Sequence, residues 1–328
     1  MKAKSFNLKD FLINYGVILV MVILVVFTSI KSPNFLSSSN ILNLLLNMSS
    51  RLVIALGIAG CVITAGCDLS AGRMIGLGGC IAGVLLQRAD YAGRFFEGGQ
   101  PMNLLLALCI VMLITAAFGA VTGFFIAFLD VPPFISTLAM MEIVYGLNLI
   151  FTDATPLGGY VESYTNLATK GFLGIRWLIW IAIIIGVISW FIFNMTRHGK
   201  YMYAIGANPQ AAEVAGVPVR TTLVLIYAKA AAFYGLAGFM LGAKSGGASV
   251  NLGLGYEMEA IAACTIGGVS VTGGRGKVSS AIIGVAVFEL LKAALQFLGV
   301  NANAQWIALG IIIYIAISLD IRKYVAKK

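Results

Sequence analysis

The stretch "TRHGKYMYAIGANPQAAEVAGVPVR", Thr196 to Arg220, is a polar island inside an otherwise apolar chain, and its punctuation spells a helix. Asn208 suits an N-cap, Pro209 the first helical position and Gly216 the position just past the end, so "PQAAEVA" predicts a helix of about two turns. Ala211, Ala212 and Ala215 would give it one low-relief face. So short a helix is marginal alone in water. It needs either the chain's own loops or a partner's groove, and an ordinary capped surface helix is the plainer account of the same spacing.

Outside this island the composition decides the class. Of 328 residues, 60% are hydrophobic and 11% charged, with a mean hydropathy of +0.96, which implies a polytopic, all-α membrane protein. Apolar runs fall at 14–30, 41–66, 72–87, 103–129, 131–151, 177–195, 222–241, 256–271, 278–299 and 304–319. That predicts about ten transmembrane helices. The first run is too long for a cleaved leader and lacks its small-residue site, so it reads as a retained helix.

With the amino terminus taken as cytoplasmic, 12 cations fall on the inside, among them Lys2, Lys200, Arg275 and Lys328, and 6 on the outside, among them Arg94 and Lys170. That bias predicts both termini inside. The net charge of +9 is then a topology signal and a contact with anionic lipid, not a nucleic-acid footprint. Cys61, Cys67, Cys80, Cys109 and Cys264 show no paired spacing and read as small buried apolar residues.

The longest polar loops are each under about 30 residues, below domain size, so residues 1–328 read as a single transmembrane domain with its cytoplasmic loop at 196–221. Any energy-converting domain sits on another chain. Two glycine-rich turns, "TAGCDLSAGR" (Thr64 to Arg73) and "IGGVSVTGGR" (Ile266 to Arg275), align Gly66, Gly72 and Arg73 with Gly268, Gly274 and Arg275. Such a pairing is either an internal repeat or a coincidence of glycine-rich membrane sequence.

Nothing resembles a reaction centre. There is one histidine, His198, read as a solvated loop residue, and no H-E-x-x-H, G-x-S-x-G or phosphate-loop motif, so no catalytic residue, metal or cofactor is expected. Ionisable groups inside spans cost about 2.5–3.5 kcal/mol each on insertion scales and are functional candidates for that reason. Glu289 and Lys292, three apart on one helix, are expected to neutralise each other. Asp68 and Ser70 lie in a glycine-flanked turn, where a carboxylate either caps the following helix or touches a substrate. Glu142, Tyr145 and Asn148 form a slanting polar stripe on the fifth helix, suited to a hydroxylated neutral solute or to hydrogen bonds between helices.

"YAIGANPQAAEVAGVPV" (Tyr203 to Val219), "GYEMEAIAACTIGGVSVTGGRG" (Gly255 to Gly276) and "ITAGCDLSAGR" (Ile63 to Arg73) resemble the permease subunits of bacterial ABC importers for monosaccharides, the ribose, xylose and galactose group. Within it, the Thr64 turn and "VNANAQW" (Val300 to Trp306) are most similar to the galactose and methyl galactoside branch. The resemblance implies a permease of about ten spans in the bacterial inner membrane. It implies a second permease copy, forming a homodimer, two cytoplasmic ABC ATPase subunits that hydrolyse ATP, and a periplasmic sugar-binding protein. It also assigns Gly206, Asn208, Ala211, Ala212, Glu213 and Gly216 to the coupling helix docked on the ATPase. Cys67 stands where many relatives carry a second glycine, and Arg73 where they often lack a charge. A reading from another class is an ion-coupled secondary sugar transporter, in which Asp68, Glu142 or Glu289 would titrate; a membrane-embedded enzyme lacks its nucleophile and base.

Overall fold

A computed structural model describes residues 8–301, 303–308, 310–312, 314 and 318. The terminal cations Lys2 and Lys328, and the tails that carry them, lie outside the described residues. Among the described residues twelve α-helices run in chain order: α1 (Leu8–Lys31), α2 (Ser38–Ile63), α3 (Ala71–Leu85), α4 (Leu104–Phe128), α5 (Pro133–Thr152), α6 (Glu162–Thr169), α7 (Trp177–Met195), α8 (Arg197–Ala207), α9 (Pro209–Val214), α10 (Val219–Ser245), α11 (Tyr256–Gly267) and α12 (Val278–Phe297), with a short 3-10 helix (Pro33–Leu36) between the first two. A further helical segment begins at Asn303. A small antiparallel hairpin, β1 (Gly171–Phe172) with β2 (Ile175–Arg176), precedes α7.

Six of these helices, α2, α4, α5, α7, α10 and α12, are long and apolar enough to cross a membrane. Each of the ten apolar runs read from the sequence contains helix where described, yet they do not make ten helices of spanning length. The 15 residues of α3 and 12 of α11 reach about 22 and 18 Å, short of the roughly 30 Å hydrocarbon core. Both are half-helices, and turns and loop complete their runs.

The starts are chemically marked. Ser37 accepts from the Asn40 amide at 3.3 Å to open α2, Asn103 accepts from the Leu105 amide at 3.0 Å to open α4, and Pro133 stands in the first turn of α5. Helices α2 and α10 are the buried axis, and α4, α5 and α7 turn large apolar side chains such as Leu113, Ile150 and Val187 outward. Such outward apolar faces suit contact with lipid or with another membrane chain. Small residues let the axis close: a methyl on Gly78 of α3 would press on the Gly235 backbone of α10 at 2.8 Å.

The bundle has two distinguishable ends. One gathers α8, α9 and the turns at 64–66 and 270–276; the other gathers the loops at 87–103 and 152–176, the hairpin, and the loop after α10, joined by Leu157 and Ala248 exchanging backbone hydrogen bonds at 2.8 and 2.9 Å. The two glycine-rich turns are not structural repeats of each other. Gly72 is helical whereas its aligned partner Gly274 has φ +72°, and the turns touch rather than superpose.

Candidate functional site

At the first end, α8 and α9 form an elbow. Thr196 caps α8 by accepting from the Gly199 amide at 3.1 Å, and Met202 and Ile205 are buried beneath it. Gly206 lies so close to the Ile63 carbonyl that a Cβ would overlap it. The same carbonyl accepts from the Gly274 amide at 2.8 Å, and the Tyr203 hydroxyl donates to the Gly276 carbonyl at 2.8 Å. The end of α8 is therefore clamped to both glycine-rich turns.

From that clamp α9 projects. Asn208 accepts from the Ala211 amide at 2.9 Å, as an N-cap should. At the other end Gly216, at φ +83°, donates to Glu213 at 2.9 Å while Val217 donates to Ala212 at 3.0 Å, the paired bonds of a Schellman stop. The expected alanine face is split, because Ala212 is buried against the protein while Ala211 and Ala215 are exposed with Glu213 and Gly216. The residue sequence reasoning missed is Val214, 90% exposed at the tip. His198 is half-buried in α8 rather than free in a loop; burial and the positive charge of Lys229 push its pKa down to about 4.

Midway through the bundle the amino ends of the two half-helices meet. A Cβ on Gly72 of α3 would overlap the Glu257 carboxylate of α11, and at 2.7 Å it would also meet the Gly253 carbonyl. Asp68 is buried and accepts from the Ser70 amide at 3.0 Å and its hydroxyl at 2.6 Å, so two carboxylates stand at the positive end of α3. Arg73 donates to Asn251 at 2.8 Å and lies 3.8 Å from the centre of the Tyr145 ring. The stripe on α5 does not share one environment: Glu142 is exposed, Tyr145 half-buried under Arg73, and Asn148 buried. Thus Asp68, Ser70 and Tyr145 gather around this junction, while Glu142 faces outward.

A second mid-bundle cluster was not legible as such. Arg51 of α2 pairs with Glu289 of α12 and, at 3.6 Å, with Glu259 of α11, which also holds Lys292 of α12. The expected Glu289–Lys292 pair does not form; each reaches across to another helix, because side chains three apart on α12 both point at the α2–α11 seam. The four charges cancel, which is what permits them inside a bilayer. Removing one partner of such a set typically costs about 3–5 kcal/mol. Among the described residues no group of three or more His, Cys, Asp or Glu could hold a metal ion. Cys61, Cys80 and Cys264 are buried as expected, whereas Cys67 is half-buried in its turn and Cys109 is exposed on α4.

Residues 40–317 match the family described as branched-chain amino acid transport system / permease component. The galactose/methyl galactoside import permease of Escherichia coli K12 is 41% identical over 96% of this chain and 95% of its own, and that of Haemophilus influenzae 40% identical over 100% and 98%. The ribose import permease of Escherichia coli K12 is 31% identical over 96% of each. No solved structure matches. With the profile covering most of the chain and the relatives aligned nearly end to end, this protein belongs to that family of transport-system permease components.

Proposed function

We propose that the chain is the membrane-spanning subunit of an ATP-driven ABC importer that carries a monosaccharide, galactose or a methyl galactoside, across the bacterial inner membrane. The identity to permeases of that name over nearly the full length supports the substrate. The observation that carries the coupling role is the elbow: α9 is presented outward on α8, and α8 is clamped to the turns from which both half-helices are reached. A cytoplasmic ABC ATPase seated on Ala211, Glu213, Val214 and Gly216 would move α8, and with it the Ile63 and Gly274 turns that lead to α3 and α11. The elbow end is then cytoplasmic, as are both termini, and the 152–176 loop meets a periplasmic sugar-binding protein. The whole chain acts as one domain of about ten membrane segments, half-helices included, paired with a second identical copy whose contact would shelter exposed Glu142 from lipid.

The test is galactose uptake into sealed vesicles holding the chain with its ATPase and binding protein. Uptake should require ATP hydrolysis and survive collapse of proton and sodium gradients. Uptake that follows an ion gradient and ignores ATP would instead establish the secondary-transporter reading, with Asp68 as its first titrating candidate.

A further inference from the structure

Between α2, α12 and the segment that begins at Asn303 lies a cleft of about 250 Å³, lined by Asn47, Arg51, Glu289, Lys292, Gln305 and Trp306 among others. Asp68, Ser70, Glu142, Tyr145 and Asn148 lie outside its lining. We infer that this cleft is a subsite for one neutral sugar, stacked on Trp306 and hydrogen-bonded by the surrounding amides and ion-paired side chains. The inference rests on the reading of the chain as a sugar importer and names the residues that would handle its solute.

Three features of the cleft select that class. Its floor is close to electrically balanced, since Arg51 and Lys292 are matched by Glu259 and Glu289 while Lys244, bonded to Asn47, adds one further cation, so a cationic ligand would meet repulsion there. Those pairs also hold donors and acceptors in fixed positions, with N–H groups of Arg51 and Lys292 to spare beyond the pairing itself. Around them stand amides. Gln305 donates its NH2 to the Val300 carbonyl at 2.8 Å, which leaves its own oxygen as an acceptor, and Asn47 accepts from Lys244, which leaves its NH2 as a donor.

The third feature is the indole. Trp306 is 58% exposed beside Lys292, whose Nζ lies 5.8 Å from the ring centre. A flat apolar surface at the edge of a hydrogen-bonding wall matches a pyranose, which has one C–H face and a rim of hydroxyls. A cleft of this size holds a single ring and not an extended oligosaccharide. Arg51 lies halfway along α2, so a sugar there would sit at membrane depth.

The test uses the full chain in lipid nanodiscs without its partners. Of its 4 Trp, Trp177, Trp180 and Trp190 are replaced by Phe, so emission reports Trp306 alone. Galactose should shift that emission saturably in the millimolar range, and the cationic galactosamine should compete about tenfold more weakly than methyl galactoside. If the triple variant does not insert, the difference between wild-type and Trp306→Phe emission gives the same readout. In the assembled importer, Trp306→Leu should lower uptake about tenfold while stimulation of the ATPase by loaded binding protein persists. Trp306→Phe should fall between the two. Emission indifferent to galactose, tighter binding of galactosamine, or full-rate uptake by Trp306→Leu would each overturn the subsite. The importer reading would stand through all three provided wild-type chain still imports galactose, and it fails separately if wild-type chain does not.

Discussion

The α8–α9 elbow and the polar stripe of α5 are equally conspicuous in the sequence, yet one is a structural unit and the other is not. In the elbow, Asn208, Pro209 and Gly216 each act on backbone within a few residues, so their spacing alone determines the helix start and stop. In the stripe, steps of three residues fall short of a full turn by about 60° each. Glu142, Tyr145 and Asn148 therefore spread over about a third of the helix circumference, from the exposed surface through the Arg73 stack to the buried seam. Local backbone chemistry survives folding unchanged, whereas a slanting row of side chains is divided by whatever the helix meets.

The largest expected effect breaks the elbow at its clamp. Gly206→Val places a side chain where the Ile63 carbonyl stands, and backbone cannot yield as a flexible side chain would. Overpacking of this kind costs about 1–3 kcal/mol, so thermal stability in detergent should drop and uptake should be lost even for the inserted fraction. Full uptake by Gly206→Val would show that α8 need not bear on the turns, and the comparison would lose its firmer half.

Next in size is a change that touches only the partner's side. Val214 is 90% exposed and nearly free of contacts within the chain, so Val214→Asp should leave thermal stability unchanged. Uptake and co-purification with the ATPase should each fall about tenfold, roughly 1.4 kcal/mol of docking energy. Glu213→Trp should behave alike. Normal uptake by both variants would reduce α9 to an ordinary capped surface helix.

The stripe is sharpened by three substitutions that its sequence spacing treats as equivalent and its burial does not. Asn148→Leu removes a buried amide whose Oδ1 has no hydrogen-bond partner among the described residues, so stability should hold or rise. Tyr145→Phe keeps the ring beneath Arg73 and should change stability little. Glu142→Gln alters an exposed group and should leave the monomer's stability unchanged while shifting its dimerisation. Equal losses at all three positions, measured by thermal unfolding of inserted protein, would restore the stripe as a unit.

Much of the fold was legible because a bilayer imposes a length on apolar runs, and each of the ten runs contains helix where described. The half-helices were not, since 256–271 and 72–87 read as apolar runs despite Glu257, Glu259 and Arg73, and nothing in composition marks where Gly268 at φ +101° ends α11 or where α3 stops at Leu85. The charges were legible as candidates but not as partners. Arg51, Glu259, Glu289 and Lys292 are drawn from three helices, and one chain's spacing carries no record of which helices adjoin. Trp306 was read for likeness to a branch of the family, and its place at a cleft depends on α2 and α12 lying opposite.

The smallest expected effect concerns His198, where the elbow's boundary meets the bundle. Its pKa is pushed from about 6.5 down to about 4 by burial first and by Lys229 second. Between those values the unfolded chain takes up a proton that the folded elbow refuses, so stability rises with pH across the window. The folded state is at full advantage above about 6.5, weakens as pH falls toward 4, and carries the whole penalty below that. Replacing His198 with Gln removes the titration, so thermal stability should decline less between pH 6.5 and 4 than in the wild type and should match it at pH 7.5. Uptake at neutral pH should be unchanged, because the native imidazole is uncharged there. A variant whose acid-side decline equals the wild type's would mean that α8 leaves this residue in water, and the elbow would then be a looser joint than its clamped glycine end.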